Sequence, residues 1–198
     1  MPEIMLAKVL EAVIKDSKVD PKLVEDLAMG NCLQIGAGCV PTRAAQLLAG
    51  IPNTATVVAI NRQCSAGLEA CAVIASKIRS GIIDIGIGGG VESMSNFANL
   101  DYPRNDNPVS DELLDHELAK KCLISMGNTA DNVAEKFGQV KKDLDLFAIN
   151  SHKKAARAEK EGLFKEEMVT FMTTVKDNKG NLKEVNANWD SGIRADAN

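Results

Sequence analysis

The chain has 198 residues, 45% hydrophobic and 25% charged, with a formal net charge of −4, which is enough apolar material for one domain with a core and excludes a disordered chain. The net negative charge leaves no electrostatic footprint for nucleic acid, and a single Trp and a single Tyr give no stacking platform for bases. No apolar stretch approaches the roughly 20 residues that span a bilayer, and the first residues do not read as a secretory signal.

From the N-terminus, Ile4, Leu6, Val9, Leu10 and Val13 recur at helical spacing and predict a helix from Pro2 to about Ser17, with Pro2 suited to an early helical position. Asp20 reads as the cap of a short helical turn between Pro21 and Leu27. Ala28 to Gln34 predicts a strand entering a Gly36-Ala37-Gly38 loop, and Pro41 to Ala49 a helix stopped at Gly50, with Pro52 beyond it. Ala55 to Ile60 is short and rich in β-branched residues, the pattern of a buried strand. The next stretch is helical, with Leu68, Cys71, Ala72, Ala75 and Ile78 expected on its apolar, core-facing side and Gly81 as its stop. Ile82 to Ile87 predicts another strand. This alternation predicts an α/β fold, with helices packed on a mainly parallel sheet.

Between about Asn96 and Lys121, Asn, Asp and Pro are frequent and periodicity is weak; a structureless connection of that length predicts a functional insertion. Thr129 reads as the cap of a helix from Asp131 to Phe137. Lys141 to Glu161 predicts a longer helix, with Leu144, Phe147, Ala148, Ser151, Ala155 and Ala158 on one side and Gly162 as its stop. Met168 to Val175 alternates as a strand, followed by a turn at Asp177 to Asn181. There is no internal repeat.

The five cysteines, Cys32, Cys39, Cys64, Cys71 and Cys122, are odd in number and contain no Cys-x-x-Cys pair, which argues against a disulfide framework or a structural zinc site. Cys64 stands apart. It lies where the Ala55–Ile60 strand gives way to a helix, and the free N–H groups and positive dipole end of a helix's first turn suit an anionic sulfur nucleophile. Cys71 reads as core packing, Cys32 and Cys39 as structural or incidental, and Cys122 carries no assigned role. His116, in an acidic segment, and His152, beside two lysines, read as solvated or structural. Lys153, Lys154, Arg157 and Lys160 are balanced by Glu159 and Glu161 and read as a solvated helix face. The glycines at 86, 88, 89 and 90 break the Gly-x-Gly-x-x-Gly spacing at Val91, so they predict a tight strand exit and not a phosphate loop.

The segment Asn61-Arg62-Gln63-Cys64-Ser65-Ala66-Gly67-Leu68-Glu69-Ala70 resembles the nucleophilic cysteine segment of thiolases, especially the peroxisomal type of 3-ketoacyl-CoA thiolase. The family usually has Ser where this chain has Ala66, and commonly Gln where it has Glu69. In the same order along the chain, Gly30-Asn31-Cys32-Leu33-Gln34 followed by Arg43, Gly90-Val91-Glu92-Ser93-Met94-Ser95, Met126-Gly127-Asn128-Thr129-Ala130-Asp131-Asn132-Val133-Ala134, Ala155-Ala156-Arg157-Ala158 and Gly192-Ile193-Arg194 resemble further family segments.

The resemblance implies the N-terminal half of a layered αβαβα architecture, with a mainly parallel mixed sheet and an inserted loop domain. Residues 1–95 would be the core, lacking the family's first strand, which is expected inside the sheet. Residues 96–140 would be the inserted loop region, and 141–198 the remainder up to a boundary with an absent C-terminal domain. It also implies acyl transfer with Cys64 as nucleophile, Met126 beside the thioester lining the acyl pocket, CoA and 3-ketoacyl-CoA as substrates, no metal or bound cofactor, a homodimer formed through this half, and a peroxisomal location, with mitochondrion or cytoplasm as alternatives. The family's Asn-Glu-Ala-Phe, Gly-His-Pro and Cys-x-Gly-Gly-Gly segments do not occur in the sequence, so the chain alone is expected to be inactive. The alternatives are an acetoacetyl-CoA thiolase, or a non-catalytic thiolase-like subunit that binds partner subunits.

Overall fold

The computed structural model describes residues 1–34, 38–94, 109–176 and 180–198. The chain divides into two units, Met1–Arg104 and Asn105–Asn198.

The first unit runs α1 (Pro2–Ser17), β1 (Asp26–Gly30), α2 (Cys39–Leu48), β2 (Thr56–Ile60), α3 (Ala66–Arg79) and β3 (Gly86–Gly90). The strands form a parallel sheet in the order β2-β1-β3. Parallel neighbours require a helical crossover between them, which is how α2 and α3 arise between strands. Every residue of the central strand β1 is buried, and alternate side chains serve opposite faces. Leu27 and Met29 join Leu6, Leu10, Ala45 and Ile51 beneath α1 and α2, while Ala28 meets Ala70 and Ile74 of α3 on the other side. Burying a leucine such as Leu27 stabilises the unit by about 1.5–3 kcal/mol.

Strand β1 starts earlier and ends earlier than the predicted Ala28–Gln34, because after Gly30 the chain turns, with the Asn31 carboxamide accepting the Gln34 N–H at 2.9 Å. Strand β3 is Gly86–Gly90 and not Ile82–Ile87, so the glycines form the strand itself and not its exit. A Cβ on Gly88 would sit 2.7 Å from the Cys71 Cα, so only glycine lets α3 approach this closely.

The predicted core face of α3 is its outer face. Ala66, Ala70 and Ile74 are buried, whereas Leu68 is 75% and Ile78 43% exposed, and Cys71, Ala72 and Ala75 also face outward. This helix is apolar around much of its circumference, so periodicity could not choose a face. This face packs inward because the glycines leave room for it: a Cβ on Gly86 would lie 3.0 Å from the Ile74 side chain, and one on Gly88 would meet the α3 backbone.

Two polar clusters tie the unit together. Gln46, buried in α2, donates to the carbonyls of Pro52 (2.7 Å) and Ala55 (3.2 Å), and Arg43 donates to Gln46 Oε1 at 2.8 Å and to the Asn53 carbonyl at 2.7 Å. Arg43 thus clamps the loop into β2. At the start of β1, the buried Asp26 carboxylate pairs with Lys77 of α3 and accepts the Thr56 hydroxyl at 2.7 Å.

The second unit comprises α4 (Asp111–Asp115), a 3-10 turn (Ala119–Leu123), α5 (Met126–Lys136), α6 (Lys141–Glu161), β4 (Phe171–Lys176) and β5 (Leu182–Ala187), the strands pairing as an antiparallel hairpin. None of its described residues is buried. Helix α5 begins five residues before the predicted Asp131 because Ser125, and not Thr129, is its cap, accepting the Asn128 N–H at 3.3 Å. On α6, Ile149, His152, Ala155, Ala156 and Ala158 are the half-covered positions, while Phe147, expected on the apolar side, is 79% exposed. Strand β5, too polar at Lys183, Glu184 and Asn186 to read as a strand, is set by its pairing with β4. Residues 35–37 of the predicted glycine loop, 96–108 of the predicted insertion and 177–179 of the predicted turn lie outside the described residues. Among the described residues no helix is long and apolar enough to cross a membrane.

Candidate active site

Parallel strands end on one side of their sheet, and the crevice at those C-terminal ends is where α/β proteins assemble sites. Here Gly30, Ile60 and Gly90 finish level with one another, so Asn31–Gln34, Asn61–Ser65 and Val91–Glu92 emerge together. Backbone bonds carry the register one residue further: Asn31 N–H to the Ile60 carbonyl (3.0 Å) and Val91 N–H to the Gly30 carbonyl (3.1 Å).

Glu92 is the hub. One carboxylate oxygen accepts the Cys32 N–H (2.8 Å) and the Leu33 N–H (3.3 Å), and the other accepts the Asn31 carboxamide (3.2 Å). The Asn31 carboxamide also donates to the Val91 carbonyl at 2.6 Å. From this anchored loop the network reaches Cys64. Asn61 donates to the Cys32 carbonyl (3.1 Å) and accepts the Gln63 N–H (3.0 Å). Gln63 stands at φ 51°, in the left-handed region, which L side chains adopt only when held. The turn closes with Ser65 N–H to the Arg62 carbonyl (3.2 Å) and Ala66 N–H to the Gln63 carbonyl (3.0 Å). Arg62 and Glu69 pair across it at 3.3 Å, so the chain's Glu69 braces the residue two before Cys64.

Cys64 itself is exposed, two residues before α3, which begins with no side-chain cap. A 14-residue helix presents the positive end of its dipole on that side. Cys32 is half-buried, and its thiol donates to Gln63 Oε1 at 3.4 Å. Burial first, then the negative charge of Glu92 and the neighbouring Cys64, push the Cys32 thiol above its ordinary pKa. It is therefore a protonated thiol near neutral pH.

Cys64 thus lies at the strand-to-helix junction that the sequence predicts. Met126, the other predicted site residue, belongs to the second unit, as the first residue of α5, 74% exposed. Cys71 is exposed and not in the core. His152 accepts the Arg194 N–H at 3.2 Å, and His116 accepts the Ala119 N–H at 3.2 Å. Asn61, Gln63, Glu92 and Cys32 were not singled out by sequence reasoning. The available signal was that each follows a strand at nearly the same distance, and so meets the others once the strands are in register.

This is an α/β domain that presents a cysteine at a strand-to-helix turn, braced from the ends of two neighbouring strands. The family model for the thiolase N-terminal domain matches residues 1–197. The chain is 51% identical over 190 residues to the peroxisomal 3-ketoacyl-CoA thiolase of Yarrowia lipolytica, covering 96% of this chain and 45% of that protein. It is 45% identical to the human peroxisomal 3-ketoacyl-CoA thiolase, covering 98% of this chain and 45% of that protein. The crystal structure of the dimeric peroxisomal thiolase of Saccharomyces cerevisiae aligns with a TM-score of 0.80 at 41% identity, over 98% of this chain and 48% of that one. The chain belongs to the thiolase family, as its N-terminal domain. It spans about half the length of the curated relatives it matches.

Proposed function

We propose that the chain is the N-terminal half of a peroxisomal-type 3-ketoacyl-CoA thiolase and that Cys64 is its nucleophile. The observation that carries this is the placement of Cys64: exposed, beside the start of α3, on a turn held by Asn61 and, through the Cys32 loop, by Glu92. The reaction is a two-step acyl transfer. The Cys64 thiolate attacks the keto carbon of a 3-ketoacyl-CoA, the Cα–Cβ bond breaks with its electron pair going to the acetyl-CoA enolate, which takes up a proton and leaves as acetyl-CoA, and the shortened acyl group remains on sulfur. The thiol of a second CoA then takes the acyl group and frees Cys64. The Cys64 backbone N–H is a donor available to the oxyanion of the tetrahedral intermediate.

The rest of the reading follows the family. Residues 1–95 form the core, 96–140 the inserted loop region and 141–198 the remainder of the N-terminal domain. Met126 lines the acyl pocket, CoA acts as substrate with no bound cofactor, and the whole protein is a peroxisomal homodimer. The second unit, without a buried residue of its own among those described, fits a part that is completed by further protein. The peroxisomal relatives favour the 3-ketoacyl substrate class over acetoacetyl-CoA.

Thiolysis of a 3-ketoacyl-CoA by CoA, measured for this chain and for the chain extended to the length of its relatives, tests the proposal. No turnover by the chain alone is expected, with turnover by the longer protein that Cys64→Ala abolishes. Turnover that survives Cys64→Ala overturns it.

A further inference from the structure

We propose that Cys32 is a resolving thiol for Cys64, so that a hydroperoxide converts the pair into a reversible disulfide that masks the nucleophile. The geometry is local and belongs to the first unit alone. The two residues follow neighbouring strands whose ends are level, Gly30 beside Ile60. The Cys32 carbonyl is bound by Asn61 at 3.1 Å, and its thiol reaches the side chain of Gln63, the residue next to Cys64, at 3.4 Å. Glu92 fixes the Cys32 backbone from the other side at 2.8 Å. Cys64 is exposed and Cys32 half-buried, so an oxidant in solution meets Cys64 first. Joining them requires the Cys32 thiol to leave Gln63 Oε1 and turn toward Cys64.

The chemistry balances. The Cys64 thiolate attacks a peroxide oxygen, the O–O bond breaks, and Cys64 becomes a sulfenic acid as hydroxide (from hydrogen peroxide) departs. The Cys32 sulfur then attacks the Cys64 sulfur. The S–O bond breaks, the S–S bond forms, and the departing hydroxide takes the Cys32 proton as water. In sum, two thiols lose two electrons and two protons, and hydrogen peroxide becomes two waters. A dithiol reverses the disulfide. The raised pKa of Cys32 keeps it a thiol until Cys64 has reacted, so it neither competes as a nucleophile nor is oxidised first.

The proposal needs Cys64 to be a reactive thiol but needs no turnover, so its failure is separable from failure of the thiolase reading. The test uses the full chain carrying Cys39→Ser and Cys71→Ser, so that the tryptic peptides Leu23–Arg43 and Gln63–Lys77 each hold one cysteine. After hydrogen peroxide treatment and blocking of free thiols, non-reducing peptide mapping is expected to show these two peptides joined, and dithiothreitol to release them. Adding Cys32→Ser is expected to abolish the linked species and to move Cys64 to sulfinic acid, with recovery of alkylatable Cys64 by dithiothreitol falling about 10-fold. The linked peptide in the chain that keeps Cys32 is itself decisive, whatever the variant does to folding. A Cys64–Cys122 link in its place, or sulfinic acid at Cys64 in equal yield with and without Cys32, overturns the proposal.

Discussion

Gly30 lies directly against Ala66: a Cβ on Gly30 would stand 2.4 Å from the Ala66 carbonyl carbon and from the Gly67 nitrogen. The last residue of the central strand and the first residue of α3 are therefore in backbone contact. That contact sets how near the Cys64 turn comes to the sheet. Gly30→Ala is expected to push the helix start outward, at a cost of about 3 kcal/mol, read as a lower denaturant midpoint. In the extended enzyme, kcat should fall with it, because the Cys64 turn moves.

Asp26 gives a pH prediction. Burial would raise its pKa, but hydrogen bonds from Lys77 and Thr56, the Lys77 charge and the Leu27 N–H together outweigh burial and hold it below its ordinary value. A depressed carboxyl contributes stability that is fully present above the unfolded pKa, about 3.9, and is lost as pH falls through the folded value. Lys77→Met strands this carboxylate in the core, and at pH 7 it should cost about 2 kcal/mol, less than the roughly 3–5 kcal/mol of a fully buried pair because Lys77 is partly exposed. The gap between the wild-type and variant proteins should narrow as pH falls, as the folded carboxyl protonates first in the variant, which lacks the Lys77 charge, and then in the wild-type protein, the unfolded carboxyl being common to both. Urea titrations of both proteins across pH 3–7 check this.

Asn61 ties the Gln63 turn to the Cys32 loop, accepting the Gln63 N–H and donating to the Cys32 carbonyl, beside the thiol bond from Cys32 to Gln63. Asn61→Ala removes both Asn61 bonds, so the left-handed Gln63 is released, with an expected loss of about 1 kcal/mol because the site is exposed. Alkylation of Cys64 by iodoacetamide, with its pH dependence, reports the change in the turn. Asn61→Asp, which keeps the acceptor for the Gln63 N–H, should restore most of the stability. A rate and stability unchanged in Asn61→Ala would show that the turn holds itself.

The outer face of α3 carries Leu68 and Ile78 in the open. Exposed apolar patches promote association. Leu68→Glu combined with Ile78→Lys is expected to reduce self-association of this chain in equilibrium sedimentation, with stability changed by less than about 0.5 kcal/mol because neither side chain is in the core. By contrast, Leu27→Ala, at the centre of the sheet, should cost about 3 kcal/mol.

Much of the α/β order was legible in the residues: the periodicity of α1, the β-branched run of β2, and the stops at Gly81 and Gly162 all match elements in place. The junction at which Cys64 stands was legible too, because a strand pattern that passes into a helical one marks a junction whatever else surrounds it. Those are local properties, encoded in neighbouring side chains and backbone propensities. Which face of α3 is buried was not local. Leu68 and Ile78 are as apolar as Ala70 and Ile74, and the choice fell to the glycines of β3 and to Gly30, whose missing side chains make room for the α3 backbone and for Ile74. The environment of Cys64 was likewise decided by tertiary structure. Glu92, Asn61 and Cys32 are far apart in the chain and meet because parallel pairing brings Gly30, Ile60 and Gly90 level, and register between strands is a property of the sheet and not of any one segment.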